Sequence, residues 1–216
     1  MLSNLFLMLR HGPTKLNQAD EYRGWSNGPD ADLNNDGLWA AREAASFLNN
    51  YKTPIKKVIC SPLNRTMHTA AIVCTILGIP EFDTDERLRP LNVGDLAGKK
   101  KSEHPIDAYL ANKNKRFPNG ETVNEFEMRQ HEMAQDIIHD IQHNHILPGE
   151  LLIVAHVSNV MYWHNLQSGL KHEDYLQEST DIVMPGGIVI VTDDSVLPIL
   201  KWNPEAFEKD IKKEDE

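Results

Sequence analysis

The pattern of apolar and polar positions along this chain predicts short strands separated by helices. Three short runs are apolar on both faces, as central strands of a parallel sheet are: residues 5–9, 57–60 and 151–155. Two later runs, 187–192 and 196–200, predict a hairpin. Pro198 places the second of these strands at an edge of the sheet, because proline cannot donate a ladder hydrogen bond.

Four longer segments repeat apolar residues at helical spacing: 37–51, 63–77, 122–143 and 157–170. For the second helix, Ser61 is the predicted N-cap, with Pro62 at the first helical position. Thr122 and Glu125 have the spacing of a capping box and predict the start of the third helix.

The alternation of strands and helices predicts an α/β fold. We expect a single three-layer α/β/α domain over residues 1–216, with a mostly parallel sheet flanked by helices. Residues 85–121 are irregular and rich in proline, glycine and charge, which favours a lid over one end of the sheet. Residues 205–216 are predicted to be a charged tail.

Charge narrows the possible partners. The chain has 22 Lys and Arg against 32 Asp and Glu, a formal charge of −10. This balance argues against a nucleic-acid partner, which requires a positive surface, and means that any anion must bind in a local basic pocket. Two cysteines without a framework suit the cytoplasm, and no apolar run is long enough to predict a membrane partner. The oligomeric state stays open.

Candidate chemistry follows the three central strands. The first strand ends on Arg10 and His11, the second leads to Arg65 in the first turn of a helix, and the third ends on His156. Ligands of open α/β sheets bind beyond the carboxyl ends of the strands, so these four side chains are expected to converge. A cation at a helix start is unfavourable unless an anion lies in front of it, which predicts a phosphate site.

Four segments together resemble the histidine phosphatase superfamily, the phosphoglycerate mutase-like group. They are LRHGPTKLN (9–17), SPLNRTMHTA (61–70), PNGETVNEF (118–126) and LIVAHVSN (152–159). The segment YRGWSNGPDADLNNDGLWAA (22–41) also fits the family pattern. The resemblance implies a phosphoglycerate mutase-like fold and a phosphoenzyme on His11. It also implies that Arg10, Arg65 and His156 form the phosphate pocket and that Asn17 binds substrate in the loop after the first strand.

The chemistry of imidazole agrees with this assignment. Neutral histidine is a competent nucleophile near pH 7, provided that one nitrogen faces phosphorus and the other is held by an acceptor. The carbonyl of Gly12 is the expected acceptor. Phosphoryl transfer needs mainly positioning and charge stabilisation, which guanidinium groups supply, so we expect no cofactor and no metal.

One departure from the family pattern concerns the general acid. The family's glutamate aligns with Pro90, which cannot donate a proton. Asp95 is the candidate replacement because it lies nearest the core of the Asn-x-Gly-Asp motif at 92–95, and Asp85 and Glu86 are alternatives. Another departure is Val157, where the family commonly has glycine.

The sequence therefore predicts a phosphatase that hydrolyses a small phosphomonoester, with a small phosphorylated compound or inorganic phosphate as its ligand. Because Pro90 replaces the acid, a phosphate-binding protein with weak turnover is an alternative. A phosphoglycerate mutase is another alternative, for which residues 99–101, three consecutive lysines, are the nearest match to the extra basic residues required.

Two further patterns suggest other chemistry. Cys60 and Arg65 are one residue too close for a thiol phosphatase, so Cys60 is interpreted as a core residue. His139, His143 and His145 include a metal-ligating spacing, but histidines at a helix C-terminus are also favoured by the macrodipole, and that is the preferred interpretation.

Overall fold

The computed structural model of the protein describes residues 4–168 and 183–201. In these residues six strands form one sheet in the order β3-β2-β4-β1-β5-β6. The strands are β1 Asn4–Arg10, β2 Lys57–Cys60, β3 Asp83–Thr84, β4 Leu151–Ala155, β5 Ile188–Thr192 and β6 Val196–Leu200. β1 pairs in parallel with β4, β4 with β2, and β2 with β3, whereas β5 pairs antiparallel with β1 and β6. The sheet is therefore mixed.

Six α-helices lie in the described residues: α1 Lys15–Gln18, α2 Asn35–Asn49, α3 Asn64–Leu77, α4 Asp107–Ala111, α5 Val123–Gln142 and α6 Val157–Ser168. Single 3₁₀ turns form at Pro29–Ala31, Glu86–Leu88 and Gly94–Leu96. None of these helices has the length and hydropathy needed to cross a bilayer.

Two apolar clusters cover opposite faces of the sheet, because successive strand residues point to opposite faces. One face of β1, including Phe6 and Met8, packs with side chains of α5 and α6. The other face of β1, including Leu7 and Leu9, packs with α2 and α3. The predicted α/β architecture, with helices on both faces of the sheet, is confirmed.

The long strands and helices lie within about two residues of their predicted ends, and the Thr122 capping box is present. The predicted cap of the second helix is wrong. α3 begins at Asn64 after Leu63, which offers no side-chain cap. Asn27 instead accepts a hydrogen bond from the Asn64 backbone N–H at 2.7 Å. The short strand β3 was not predicted, because its two exposed residues carry no apolar signal.

Two predicted segments lie outside the described residues. They are the charged tail at 205–216 and the end of the last helix at 169–170. The predicted lid, 85–121, contains two 3₁₀ turns and α4, and it buries a small apolar cluster of its own around Phe117.

The strand order brings the candidate residues to one edge. β2, β4 and β1 are adjacent and parallel, so their carboxyl ends meet. Arg10 ends β1, Ser61 follows β2, and His156 follows β4.

Candidate active site

His11 is held in one tautomer at the end of β1. Its Nδ1 lies 2.7 Å from the carbonyl oxygen of Gly12, and only 1 % of the residue is exposed. A carbonyl only accepts, so Nδ1 carries the proton and Nε2 keeps its lone pair. Glycine is required at 12, since a Cβ there would lie 2.4 Å from the oxygen of Gly37.

His156 lies beside His11, with ring centroids 5.2 Å apart at an interplanar angle of 62°. A hydrogen bond of 2.9 Å joins its Nε2 to Oγ of Ser61. Its backbone N–H donates to Oδ1 of Asn159, whose amide donates in turn to Gln130 on α5 at 2.9 Å. Ser61, predicted to cap a helix, therefore orients the second histidine instead.

Arg10 and Arg65 are close enough to both histidine rings that their charges lower the pKa of each. Arg10 is 8 % exposed and donates from Nη1 to the carbonyl of Val183 at 2.9 Å. Arg65 is 1 % exposed and donates to the carbonyls of Ser26 and Gly24 at 2.9 and 3.0 Å. The Nε atoms of both arginines are buried without a hydrogen-bond partner among the described residues.

Arg23 is a third cation in the site, and sequence reasoning did not single it out. It lies on the loop before Gly24, and its Nη1 is buried without a partner in the part of the chain that the structure describes. Of the three guanidinium charges, that of Arg23 has the largest effect on the pKa of His11. Its position follows no strand, so the convergence of strand ends could not have identified it.

These charges decide the protonation of the site. Burial, followed by the charges of Arg23, Arg65 and Arg10, lowers the pKa of His11 well below 6.5. Burial and neighbouring positive charges also lower the pKa of His156, so both rings are neutral in the free protein at pH 7. The charged neighbours that lower these two pKa values are the three arginines, and His11 also lowers the pKa of His156, while the hydrogen bond to the Gly12 carbonyl raises the pKa of His11. No carboxylate is among the groups that shift either pKa.

Burial removes the three arginines from water, and their neighbours do not fully replace the lost hydration. Burial lowers the pKa of Arg10 and of Arg65 to about 9, and that of Arg23 to about 10. Asp32 partly offsets this effect at Arg65. All three stay protonated at neutral pH, as guanidinium groups do. Buried charges need a partner, and an anion would supply one to all three arginines at once.

A cavity of about 480 Å³ opens onto this cluster. The cavity is lined by Arg10, Arg23, Arg65 and His156, whereas His11 is only 1 % exposed and is not among the lining residues. Apolar side chains of the 85–121 segment and of α6 form much of the remaining wall: Leu91, Val93, Ile106, Leu110 and Met161. Val157 also lines the cavity and narrows it relative to glycine.

Asn17, the residue predicted to bind substrate, lies at the cavity wall, and its Oδ1 already accepts hydrogen bonds. It accepts from the backbone N–H of Thr14 at 3.0 Å and from the Thr14 hydroxyl at 2.9 Å. This capping box fixes the short helix α1 beside the cavity.

The structure does not bring Asp95 to the cavity, which corrects the expectation that it replaces the general acid. Asp95 is exposed, and its Oδ2 accepts from the amide of Asn119 at 2.9 Å. It follows Gly94, which has a positive φ of 53°, so it belongs to a turn. Pro90 does line the cavity, and its carbonyl accepts from Trp25 and Arg129, both at 2.8 Å.

Two carboxylates line the cavity within the described residues, Glu21 and Asp107. Asp107 is the first residue of α4, and its charge raises the pKa of Tyr22, after the larger effect of burial. Neither residue follows a strand, so neither was a candidate in the sequence.

Cys60 is excluded as a nucleophile at neutral pH. Cys60 is the last residue of β2 and is fully buried. Burial, followed by the charge of Cys74, raises the pKa of its thiol to about 12. The interpretation as a core residue agrees with this placement.

The chain is similar to known proteins in sequence and in fold. The sequence model of the histidine phosphatase superfamily, branch 1, matches residues 6–181. A 2,3-bisphosphoglycerate-dependent phosphoglycerate mutase of Methylobacterium sp. (strain 4-46) is 32 % identical over 104 residues, 47 % of this chain and 49 % of that protein. The chain thus spans about half the length of the curated relatives it matches.

Solved structures share the fold. Mycobacterial glucosyl-3-phosphoglycerate phosphatase superposes with a TM-score of 0.71 at 17 % identity, covering 93 % of this chain and 99 % of that one. The α-ribazole phosphatase of Shigella flexneri gives 0.68 at 19 % identity, covering 91 % and 95 %. At these identities the similarity concerns architecture.

Proposed function

The chain belongs to the histidine phosphatase superfamily, and from that premise we propose that it is a phosphatase of small phosphomonoesters, acting through a phosphohistidine on His11. The observation that carries the proposal is the arrangement of His11. A lone pair on Nε2 is fixed by the 2.7 Å hydrogen bond of Nδ1 to Gly12, in a cluster of three guanidinium groups.

In the first step, Nε2 of His11 forms a bond to phosphorus while the bond from phosphorus to the leaving oxygen breaks. Arg10, Arg23 and Arg65 stabilise the charge on the equatorial oxygens. The phosphoryl dianion favours the protonated form of His156, which then donates a hydrogen bond to one of these oxygens.

In the second step, water attacks phosphorus, the phosphorus–nitrogen bond breaks, and Nε2 regains its lone pair. Inorganic phosphate leaves. The water loses its proton to solvent or to the leaving group released in the first step, so the protein returns to its starting state.

The leaving group is expected to be a weak base. Pro90 occupies the cavity wall at the family's acid position and has no proton to donate. Glu21 and Asp107 also line the cavity, and in this proposal neither protonates the leaving oxygen. Aryl phosphates need no protonation to leave, and the apolar wall around Leu91 and Met161 suits an aromatic ring.

Turnover of a substrate pair tests the proposal. The purified chain is assayed with p-nitrophenyl phosphate and with a sugar phosphate, and kcat/KM is compared. We expect p-nitrophenyl phosphate to be favoured by about 10² or more, the contribution of a general acid. Equal and rapid turnover of both would show that another group protonates the leaving oxygen, whereas no turnover of either would favour the phosphate-binding alternative.

A mutase is the second candidate, favoured by one specific observation. Lys101 lines the cavity, where a basic residue would bind a second anionic group of a phosphoglycerate. Its Nζ is paired with Asp20 at 2.8 Å, which weakens that argument. Turnover of 3-phosphoglycerate to the 2-isomer that depends on added 2,3-bisphosphoglycerate would favour the mutase.

A further inference from the structure

A second group of histidines precedes the amino end of β4, the end opposite the candidate active site. His139 is in the last turn of α5, and His143 and His145 follow before the chain enters β4 at Leu151. Since the active site lies at the carboxyl end of β4, the five residues of that strand, about 16 Å, separate the two groups. This second group has no part in the chemistry described above.

Two imidazole nitrogens of this group converge on a single carboxylate oxygen. Nδ1 of His145 lies 3.2 Å from Oδ1 of Asp140, and Nδ1 of His139 lies 3.7 Å from the same oxygen. The three potential ligand atoms all lie within 4.8 Å of one another. A hydrogen bond accounts for the first contact, while the second is too long for one.

Two of the three separations between ligand atoms are close to the edge of a small coordination tetrahedron, and the third is at most 4.8 Å. A four-coordinate zinc ion, with bonds of about 2.0–2.2 Å to histidine nitrogen and carboxylate oxygen, holds its ligand atoms about 3.4 Å apart. The observed 3.2 and 3.7 Å lie on either side of that value. Rotamer adjustments of a few tenths of an ångström are available, because the histidine side chains are 60 % and 61 % exposed.

We propose that His139, Asp140 and His145 bind a divalent transition ion of the zinc class through Nδ1, Oδ1 and Nδ1. Mixed imidazole and carboxylate ligands suit Zn²⁺, Co²⁺ and Ni²⁺, whereas Mg²⁺ prefers an all-oxygen octahedron. A water molecule would supply the fourth ligand, because both histidine side chains are exposed.

Two local features favour a cation here. The site is at the C-terminal end of a 20-residue helix, where the macrodipole is negative. His143 stacks on His139 with ring centroids 4.1 Å apart, and its Nδ1 lies 2.9 Å from the His139 carbonyl oxygen. This contact restricts the orientation of the His139 ring, so less freedom is lost when the ion binds.

A bound metal ion would link His139 and Asp140 at the end of α5 to His145 in the loop that leads into β4. The chain turns between the two at Asn144, which has a positive φ of 58°. An ion that binds the folded protein but not the unfolded chain stabilises the fold by mass action. The proposed role is therefore structural.

Isothermal titration calorimetry on the tag-free full chain tests this site, with ZnCl₂ as the probe and MgCl₂ as the comparison ion. We expect one Zn²⁺ per chain and no Mg²⁺ binding. His145→Gln is expected to weaken Zn²⁺ binding by at least about tenfold, since even the loss of a group that only supports a ligand costs that much. His68→Gln is the matched control, because His68 is an exposed helical histidine outside the group.

Thermal unfolding with and without Zn²⁺ gives an independent reading. The midpoint is expected to rise with Zn²⁺ in the wild-type chain and in His68→Gln, and not in His145→Gln. The proposal is overturned if Zn²⁺ binds equally to wild type and His145→Gln, or if His68→Gln loses as much affinity as His145→Gln.

Discussion

The two histidine groups, toward opposite ends of β4, differ in burial and in the charge of their neighbours. His11 and His156 are at most 3 % exposed and are surrounded by three arginines. His139 and His145 are about 60 % exposed and face a carboxylate. Cations around a buried neutral imidazole make a site for an anion, whereas an anion between exposed imidazoles makes a site for a cation. The neighbouring charge, rather than the imidazole, decides what each group binds.

The largest expected effect comes from removing the nucleophile. His11→Ala is predicted to lower kcat for p-nitrophenyl phosphate by about 10⁴-fold or more, the order of loss seen when a covalent nucleophile is deleted. The same variant is expected to bind Zn²⁺ as tightly as wild type does, by calorimetry. Loss of both properties would indicate general misfolding and would break the comparison between the two groups.

A glutamate at position 90 tests whether the lack of a proton donor there limits the departure of the leaving group. Pro90→Glu is predicted to raise kcat/KM for a sugar phosphate by about 10²-fold or more, with a much smaller gain for p-nitrophenyl phosphate. Pro90→Gln is the matched control, because it has nearly the same shape without the acid. Equal gains for Gln and Glu would show that backbone or shape, and not proton donation, limits the reaction.

Arg23 is predicted to contribute through its charge. Arg23→Gln should lower kcat/KM by about 10²-fold, as the loss of one donor to a developing anion does elsewhere. Arg42→Gln, at an exposed arginine of α2, is expected to change kcat/KM by less than about twofold. An Arg23→Gln variant with wild-type kinetics would remove this residue from the account.

The smallest predicted effect concerns stability and pH. The pKa values of His11 and His156 are lowered by burial, so the unfolded chain binds more protons below about pH 6.5. Stability is therefore expected to fall as pH drops below that value, by about 1.4 kcal/mol per pH unit for each histidine.

Urea unfolding from about pH 7.5 to about pH 5.5 measures this slope. His11→Asn should reduce it by about half, because one titrating group is gone. A stability that is independent of pH in this range would show that the two rings have the same pKa in the folded and the unfolded chain, which would contradict the lowered pKa values.

Sequence reasoning located the site wherever strand ends carried the chemistry. Arg10, His11 and His156 follow apolar runs that only central strands explain, so their convergence was predictable before any coordinates. Arg65 was predictable because a cation at a helix start is electrostatically odd.

Residues placed by loops could not be found this way. Arg23 and Glu21 reach the cavity from the segment after α1 and Asp107 from the start of α4, and neither placement follows a strand end. Asp95 was favoured only because it lies nearest the core of the motif at 92–95. Ser61 shows the same limit, since a serine before a helix predicts a cap, and only the sheet order reveals its contact with His156.

Locating the phosphoryl group on the trapped chain is the most direct test of whether His11 is the nucleophile. The chain is mixed with p-nitrophenyl phosphate, quenched in alkali within a turnover, digested, and analysed by mass spectrometry with ³¹P NMR of the intact phosphoprotein. The account predicts an acid-labile, alkali-stable phosphoryl group on Nε2 of His11. A phosphoryl group on Ser61 or another residue, or steady turnover with no phosphorylated His11 at any time, would contradict it.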